Sequence, residues 1–279
     1  MNLWKLELRH LFRGWRGWTF VAAYLLATMV AVLVGTLIDR FENFSYAGVI
    51  DLYFIFSIPA SILFIGLVVS SLSFDGNKNL SAFLRLRFSI KNILVTKLLT
   101  YFVLNQILFL LGFIISFIIG IVLFDSADTI SLNWVLWGLF FSLVAGLFYI
   151  ALISFTSAIF TGTIASVLLT LAVVIGVPIV ESILTTIELL IRGLITTPPD
   201  EWGNISYVQK VMMWWPTATS DANVFFSVTQ SEIASDRTSG LLGSYDLDPY
   251  FRIKPLITSL IATPLLIIYA WRKYSQREI

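Results

Sequence analysis

Residues 133–191 read NWVLWGLFFSLVAGLFYIALISFTSAIFTGTIASVLLTLAVVIGVPIVESILTTIELLI. A helix climbs about 1.5 Å per residue, so roughly 20 apolar residues cross the ~30 Å hydrocarbon layer of a bilayer. This stretch is at least twice that long, and its one short break is Thr161-Gly162-Thr163. A single over-long span does not account for it. Two helices folded back as a hairpin, 133–159 and 163–191, do.

Outward from this hairpin, similar runs lie at 18–38, 51–73, 93–124 and 254–271, which gives about six transmembrane helices. The connections hold the breakers and charges: Asp39-Arg40-Phe41-Glu42-Asn43, Asp75-Gly76-Asn77-Lys78, and 125–128. Composition agrees. Of the 279 residues, 58% are hydrophobic and 13% charged, with a mean hydropathy of +0.88. Soluble domains carry about 25% charged residues, so the excess apolar surface calls for lipid as its solvent. The expected fold is a single all-α integral membrane domain over 1–279.

Lys and Arg mark the cytoplasmic side of such proteins. Lys5, Arg9, Arg13 and Arg16 precede the first run, Lys78, Arg85, Arg87 and Lys91 fill the 74–92 loop, and Arg272, Lys273 and Arg277 close the chain. The 125–132 loop has no basic residue. Both termini and the 74–92 loop are therefore expected inside and 193–253 outside, which requires an even number of crossings. The first run ends at Leu37-Ile38-Asp39 without a small-x-small pattern, so it reads as a retained span, not a cleaved signal.

The same inventory excludes much chemistry. A net charge of +1 argues against nucleic acid as a partner. There is no cysteine for a disulfide or thiolate metal site, and His10 is the only histidine. No stretch fits Gly-x-x-x-x-Gly-Lys-Ser/Thr, and Asp75-Gly76-Asn77-Lys78 lacks the loop that cradles phosphates. The chain reads as no enzyme, with no cofactor of its own, in a bacterial or archaeal plasma membrane.

On a 100° wheel Trp4, Leu8, Leu11, Trp15 and Trp18 share one quarter, beside a stripe of Lys5, Arg9, Arg13 and Arg16. Residues 1–17 thus form an amphipathic elbow helix lying among lipid headgroups, as a topology signal or also as a partner contact. Residues 74–99, FDGNKNLSAFLRLRFSIKNILVTKLL, form a polar loop with an apolar side at Leu80, Phe83, Leu84 and Leu86. That pattern suits an interfacial helix or a docking helix.

This loop resembles that of type-2 ABC exporter permeases, where an acidic-Gly pair precedes a Leu-rich stretch, Pro-x-Ser-Arg, and then Lys. Asp75-Gly76, Ser89 and Lys97 match; Arg87 replaces the proline and Ile90 the arginine, with Lys91 one place on. Trp214-Trp215-Pro216 is similar to the family's outer apolar-Pro element, and Tyr274 to Ile279 to its aromatic-x-x-Arg-acidic-aliphatic ending. The resemblance implies a coupling surface at Asp75, Gly76, Leu80, Leu84, Arg85, Arg87, Ser89 and Lys91, docked on a separate ABC ATPase subunit. Residues 160–163 would be a minor second contact. ATP and Mg would sit on that partner, and a second permease copy or paralogue would complete the unit. The expected cargo is hydrophobic or amphipathic: a peptide, a lipid-like molecule or a drug.

Within the spans, Glu181 and Glu188 share a face, with Arg192 four residues on. Glu181 lines a translocation path, or a helix break at Gly176-Val177-Pro178 brings both glutamates near the outer headgroups. Asn105 and Gln106 read as interhelical hydrogen-bond partners ahead of substrate ligands. Ala145, Gly146, Ala151, Ser154, Ser157 and Ala158 give the fourth span a close-packing side, or a dimer seam. In 193–253, short interfacial helices are expected at 207–226, with Trp202, Trp214 and Trp215 at belt level, as a lid or a site for an extracytoplasmic partner. Three alternatives stand beside export. They are a mechanical relay to that outer partner without transport, a stand-alone secondary transporter, and, last, a membrane-embedded enzyme, for which no acid–base pair is present.

Overall fold

The structure, a computed structural model, describes residues 3–39, 46–72, 88–124, 132–160, 163–193, 207–212, 214–216 and 253–276. Among these residues all regular structure is α-helical: α1 (Leu3–Arg13), α2 (Trp15–Ile38), α3 (Tyr46–Leu72), α4 (Ile90–Leu123), α5 (Leu132–Ile159), α6 (Thr163–Ile191), α7 (Tyr207–Met212) and α8 (Ile253–Gln276). Gly17–Ile38, Lys91–Leu123, Ser142–Ile159, Ile164–Ile191 and Ile253–Gln276 are each long and apolar enough to cross a bilayer. The chain is an all-α, multi-pass membrane protein.

The exposed surface fits that solvent. Leu25, Leu26, Met29, Leu33 and Leu37 turn one side of α2 outward, and α6 exposes Ile164, Leu168, Ile175, Ile179 and Ile183. A soluble monomer rarely leaves so long an apolar surface uncovered. α4 has 34 residues, about 51 Å at the helical rise, and so outruns the hydrocarbon layer by roughly 20 Å.

The chain packs as two compact units: Met1–Thr129, Tyr149–Thr170 and Thr263–Ile279 form one, Ile130–Phe148 and Leu171–Ala262 the other. In the first unit α2, α3 and α4 pack together, and α1 lies against α2 and α4. Its interior is aromatic. Phe20 stacks on Phe64 and meets Tyr24 edge-on, and Tyr53 and Phe54 pack against Phe109.

Two tyrosine hydroxyls of this interior bond across to a neighbouring helix, because lipid supplies no alternative partner. The Tyr24 hydroxyl donates to Asn105 Oδ1 at 2.7 Å, and the Tyr53 hydroxyl to the Phe109 carbonyl at 2.7 Å. Asn105 is therefore an interhelical partner, joining α2 to α4. Tyr24→Phe is expected to lower stability by about 0.5–1.5 kcal/mol, since the fold survives but a buried amide loses its donor. Thermal unfolding of the purified variant measures this.

α5 ends at Ile159 and α6 begins at Thr163, on either side of the sequence break. Hydroxyls tie the two together. Thr156 Oγ1 and Thr170 Oγ1 lie 2.8 Å apart, Ser166 donates to the Thr156 carbonyl, and the Tyr274 hydroxyl of α8 donates to Ser157 Oγ at 2.7 Å. Ala151, Ser154, Ser157 and Ala158 are all buried, so this part of the small-residue side packs within the chain.

Two local expectations are corrected. Gly14, extended at φ −100° and ψ 176°, separates α1 from α2, so the first 17 residues are not one wheel. Trp15 and Trp18 belong to α2, and α1 buries Leu3, Glu7 and Leu11 instead. Second, α6 runs unbroken through 176–178. Proline removes one backbone bond, but opening the helix in hydrocarbon would strand several more.

Candidate functional site

One end of the first unit gathers the features of most interest, at the C-terminal root of the 74–92 loop. Ser89 caps α4: its backbone is extended (φ −64°, ψ 146°) and its Oγ accepts the Asn92 N–H at 3.3 Å. Ser89 thus fixes where the loop ends and the helix begins. Four residues on, Ile93 is buried against Leu3 of α1, with Phe88 packed on the pair. One turn further, Lys97 Nζ lies 3.8 Å from Glu7 Oε1, with side chains only 16% and 10% exposed. α1 is thereby joined to the start of α4 by an apolar contact and a largely buried ion pair.

The basic residues of α1 face outward. Lys5, Arg9 and Arg13 are exposed on α1 and Trp4 is half-buried, while Trp15 at the start of α2 is 72% exposed. This arrangement suits headgroups and indoles at one interface. Lys91 lies 5.6 Å over the Trp271 ring, bringing the last turns of α8 to the same end. Asp75, Gly76, Leu80, Leu84, Arg85 and Arg87 lie outside the described residues, as does the side chain of Arg16. Of the expected coupling residues, Ser89 is a helix cap and Lys91 an aromatic-seated cation.

Glu7 escaped the sequence reading. The wheel weighs apolar and basic positions, and an acid on the buried face shows its purpose only when Lys97 is seen opposite. Glu188 holds a second surprise, in the other unit. Its carboxylate accepts the N–H groups of Tyr207 (2.7 Å) and Val208 (3.0 Å), and Arg192 Nη1 lies 3.6 Å away. A residue near the end of α6 therefore caps α7, where the helix dipole favours an anion. Lys254 lies 5.9 Å over the Trp214 ring, and Ser259 Oγ lies 3.4 Å from the Pro216 carbonyl it bonds. The short helix expected in 207–226 is α7, and Trp202 lies outside the described residues.

Glu188→Ala removes both backbone acceptors and the Arg192 pair. Amide exchange at 207–212 is expected to accelerate about tenfold, the equivalent of roughly 1.4 kcal/mol lost locally. Mass-spectrometric hydrogen exchange reads this directly. Glu181 stands ten residues before Ile191, about 15 Å along α6, and is partly exposed.

No family model, curated sequence or solved structure matches this chain. Among the described residues no group of three His, Asp or Glu side chains is placed to hold a metal.

Proposed function

We propose that this chain is the membrane permease subunit of a type-2 ABC exporter, driven by ATP hydrolysed on a separate subunit. The carrying observation is the joint at the loop's root, where Glu7 and Leu3 of α1 meet Lys97 and Ile93 of α4. A loop that grips a moving partner passes force to the membrane only if its root is stiff. An ion pair and an apolar contact between two elements stiffen it.

In this reading α3 also crosses: it has 27 residues, and Asp51 is its single charge. Six crossings put both termini, the 74–92 loop and the basic end described above in the cytosol of a bacterial or archaeal cell. The ABC ATPase docks on the 74–92 loop and holds ATP and Mg, while this chain binds neither. A second copy or a paralogue completes the path, and Glu181 faces it, since a carboxylate on a span needs water or protein beside it. Cargo is hydrophobic or amphipathic.

The test is Arg85→Glu combined with Arg87→Glu. ATP-dependent cargo uptake into inside-out vesicles is expected to fall at least tenfold, about 1.4 kcal/mol of lost coupling, while membrane insertion is unchanged. Normal uptake by an assembled double variant sinks the docking assignment.

One observation favours the relay alternative. Tyr207 and Val208 are pinned to Glu188 of α6, and Trp214 and Pro216 to Lys254 and Ser259 of α8, so helix movement would reach an outer partner directly. Partner-dependent ATP hydrolysis without flux identifies that version.

A further inference from the structure

At the basic end of the first unit, the last turns of α5 and α8 leave a cleft of about 280 Å³ lined by Ala158, Ile159, Tyr269, Lys273 and Gln276. We propose that this cleft is a headgroup site for an anionic phospholipid, retained by the chain whatever else it does. The inference is independent of the exporter reading, because it needs only a membrane and this end of the helices.

Three features carry it. The first is the placement of charge. Lys273 lines the cleft, and Arg272 and Lys91 are exposed nearby, Lys91 held over Trp271. Among the described residues none of the three makes an ion pair with a carboxylate. A cluster of cations at a helix end attracts phosphate.

The second is polarity that changes with depth. Tyr269, Lys273 and Gln276 follow one face of α8, and one turn deeper that face continues with Leu265, 61% exposed. Donors therefore lie at headgroup level and hydrocarbon lies below them, the profile of a diacyl lipid and not of a soluble anion.

The third is rigidity. The wall behind the cleft is fixed by the Tyr274–Ser157 hydrogen bond and the Thr156–Thr170 pair, so the site exists before a lipid arrives. A preformed site avoids the ordering cost that makes surface binding weak.

The experiment is native mass spectrometry of the full chain in detergent, titrated with phosphatidylglycerol or phosphatidylcholine. The first phosphatidylglycerol is expected to bind about fivefold more tightly than phosphatidylcholine, and Lys273→Ala to erase that preference. Ile159→Trp, which fills the cleft from an exposed position and keeps every charge, is expected to do the same. Lys254→Ala, at the opposite end of α8, keeps it. Equal affinity for the two lipids, or a preference that survives both cleft variants, overturns the proposal. So does displacement of the bound lipid by millimolar inorganic phosphate, which would identify a site for free anions. Should Lys273→Ala fail to fold, Ile159→Trp alone decides.

Discussion

Gly112→Leu is expected to deplete folded protein almost completely. Gly112 lies in α4 against Tyr53, a side chain with no exposed surface. A Cβ there would meet the Tyr53 hydroxyl and ring edge, with Cε2 and Cζ only 2.8 Å away. The ring has nowhere to move. Its hydroxyl is bonded to the Phe109 carbonyl, and Phe54 and Phe109 lie within 6.1 Å and 5.7 Å of it. Overpacking a filled interior costs about 1–3 kcal/mol, and the full leucine side chain belongs at or above the top of that range. Gly112→Ala should be milder, and Tyr53→Ala in the Gly112→Leu background should recover part of the loss by opening space. Monodispersity on size exclusion and thermal unfolding report the outcome. A Gly112→Leu protein that melts with the parent would show that α3 and α4 do not meet here.

Lys97→Leu is the second large effect. It leaves the Glu7 carboxylate, 10% exposed, without the ammonium group that faces it. Removing one partner of a buried pair commonly costs 3–5 kcal/mol, because the survivor keeps its desolvation without its attraction. This pair is not wholly dry, so about 2–4 kcal/mol is the expected loss. Glu7→Leu combined with Lys97→Leu should be far closer to the parent, since two apolar side chains would extend the Leu3–Ile93 contact. A double-mutant cycle on thermal unfolding measures the coupling. Additive single effects would mean that the pair is not formed.

The spans were legible because a bilayer imposes one length and one chemistry on them. The helix starting at Thr163 and ending at Ile191 follows the apolar run 163–191, and α5 ends where the run 133–159 does. Ser89, read from the sequence only as a match to the permease motif, instead caps α4. What escaped was set by distance along the chain. Glu7 meets Lys97 and Glu188 meets Tyr207 across separations that no periodicity encodes. The other misreadings were local competitions. At Gly14 an extended residue outweighed a continuous amphipathic pattern, and at 176–178 the cost of unsolvated backbone outweighed glycine and proline.

The length of α4 has a mechanical corollary. Asn105, held by Tyr24, lies 15 residues from Ile90 and 18 from Leu123, about 22 and 27 Å along the axis. A rigid rod gripped near its middle, and moving together with α1 and α3 packed along it, works as a seesaw. A rocking of about 10° around that fulcrum would carry the tips about 4 and 5 Å in opposite directions, so a push on one face of the bilayer would surface on the other.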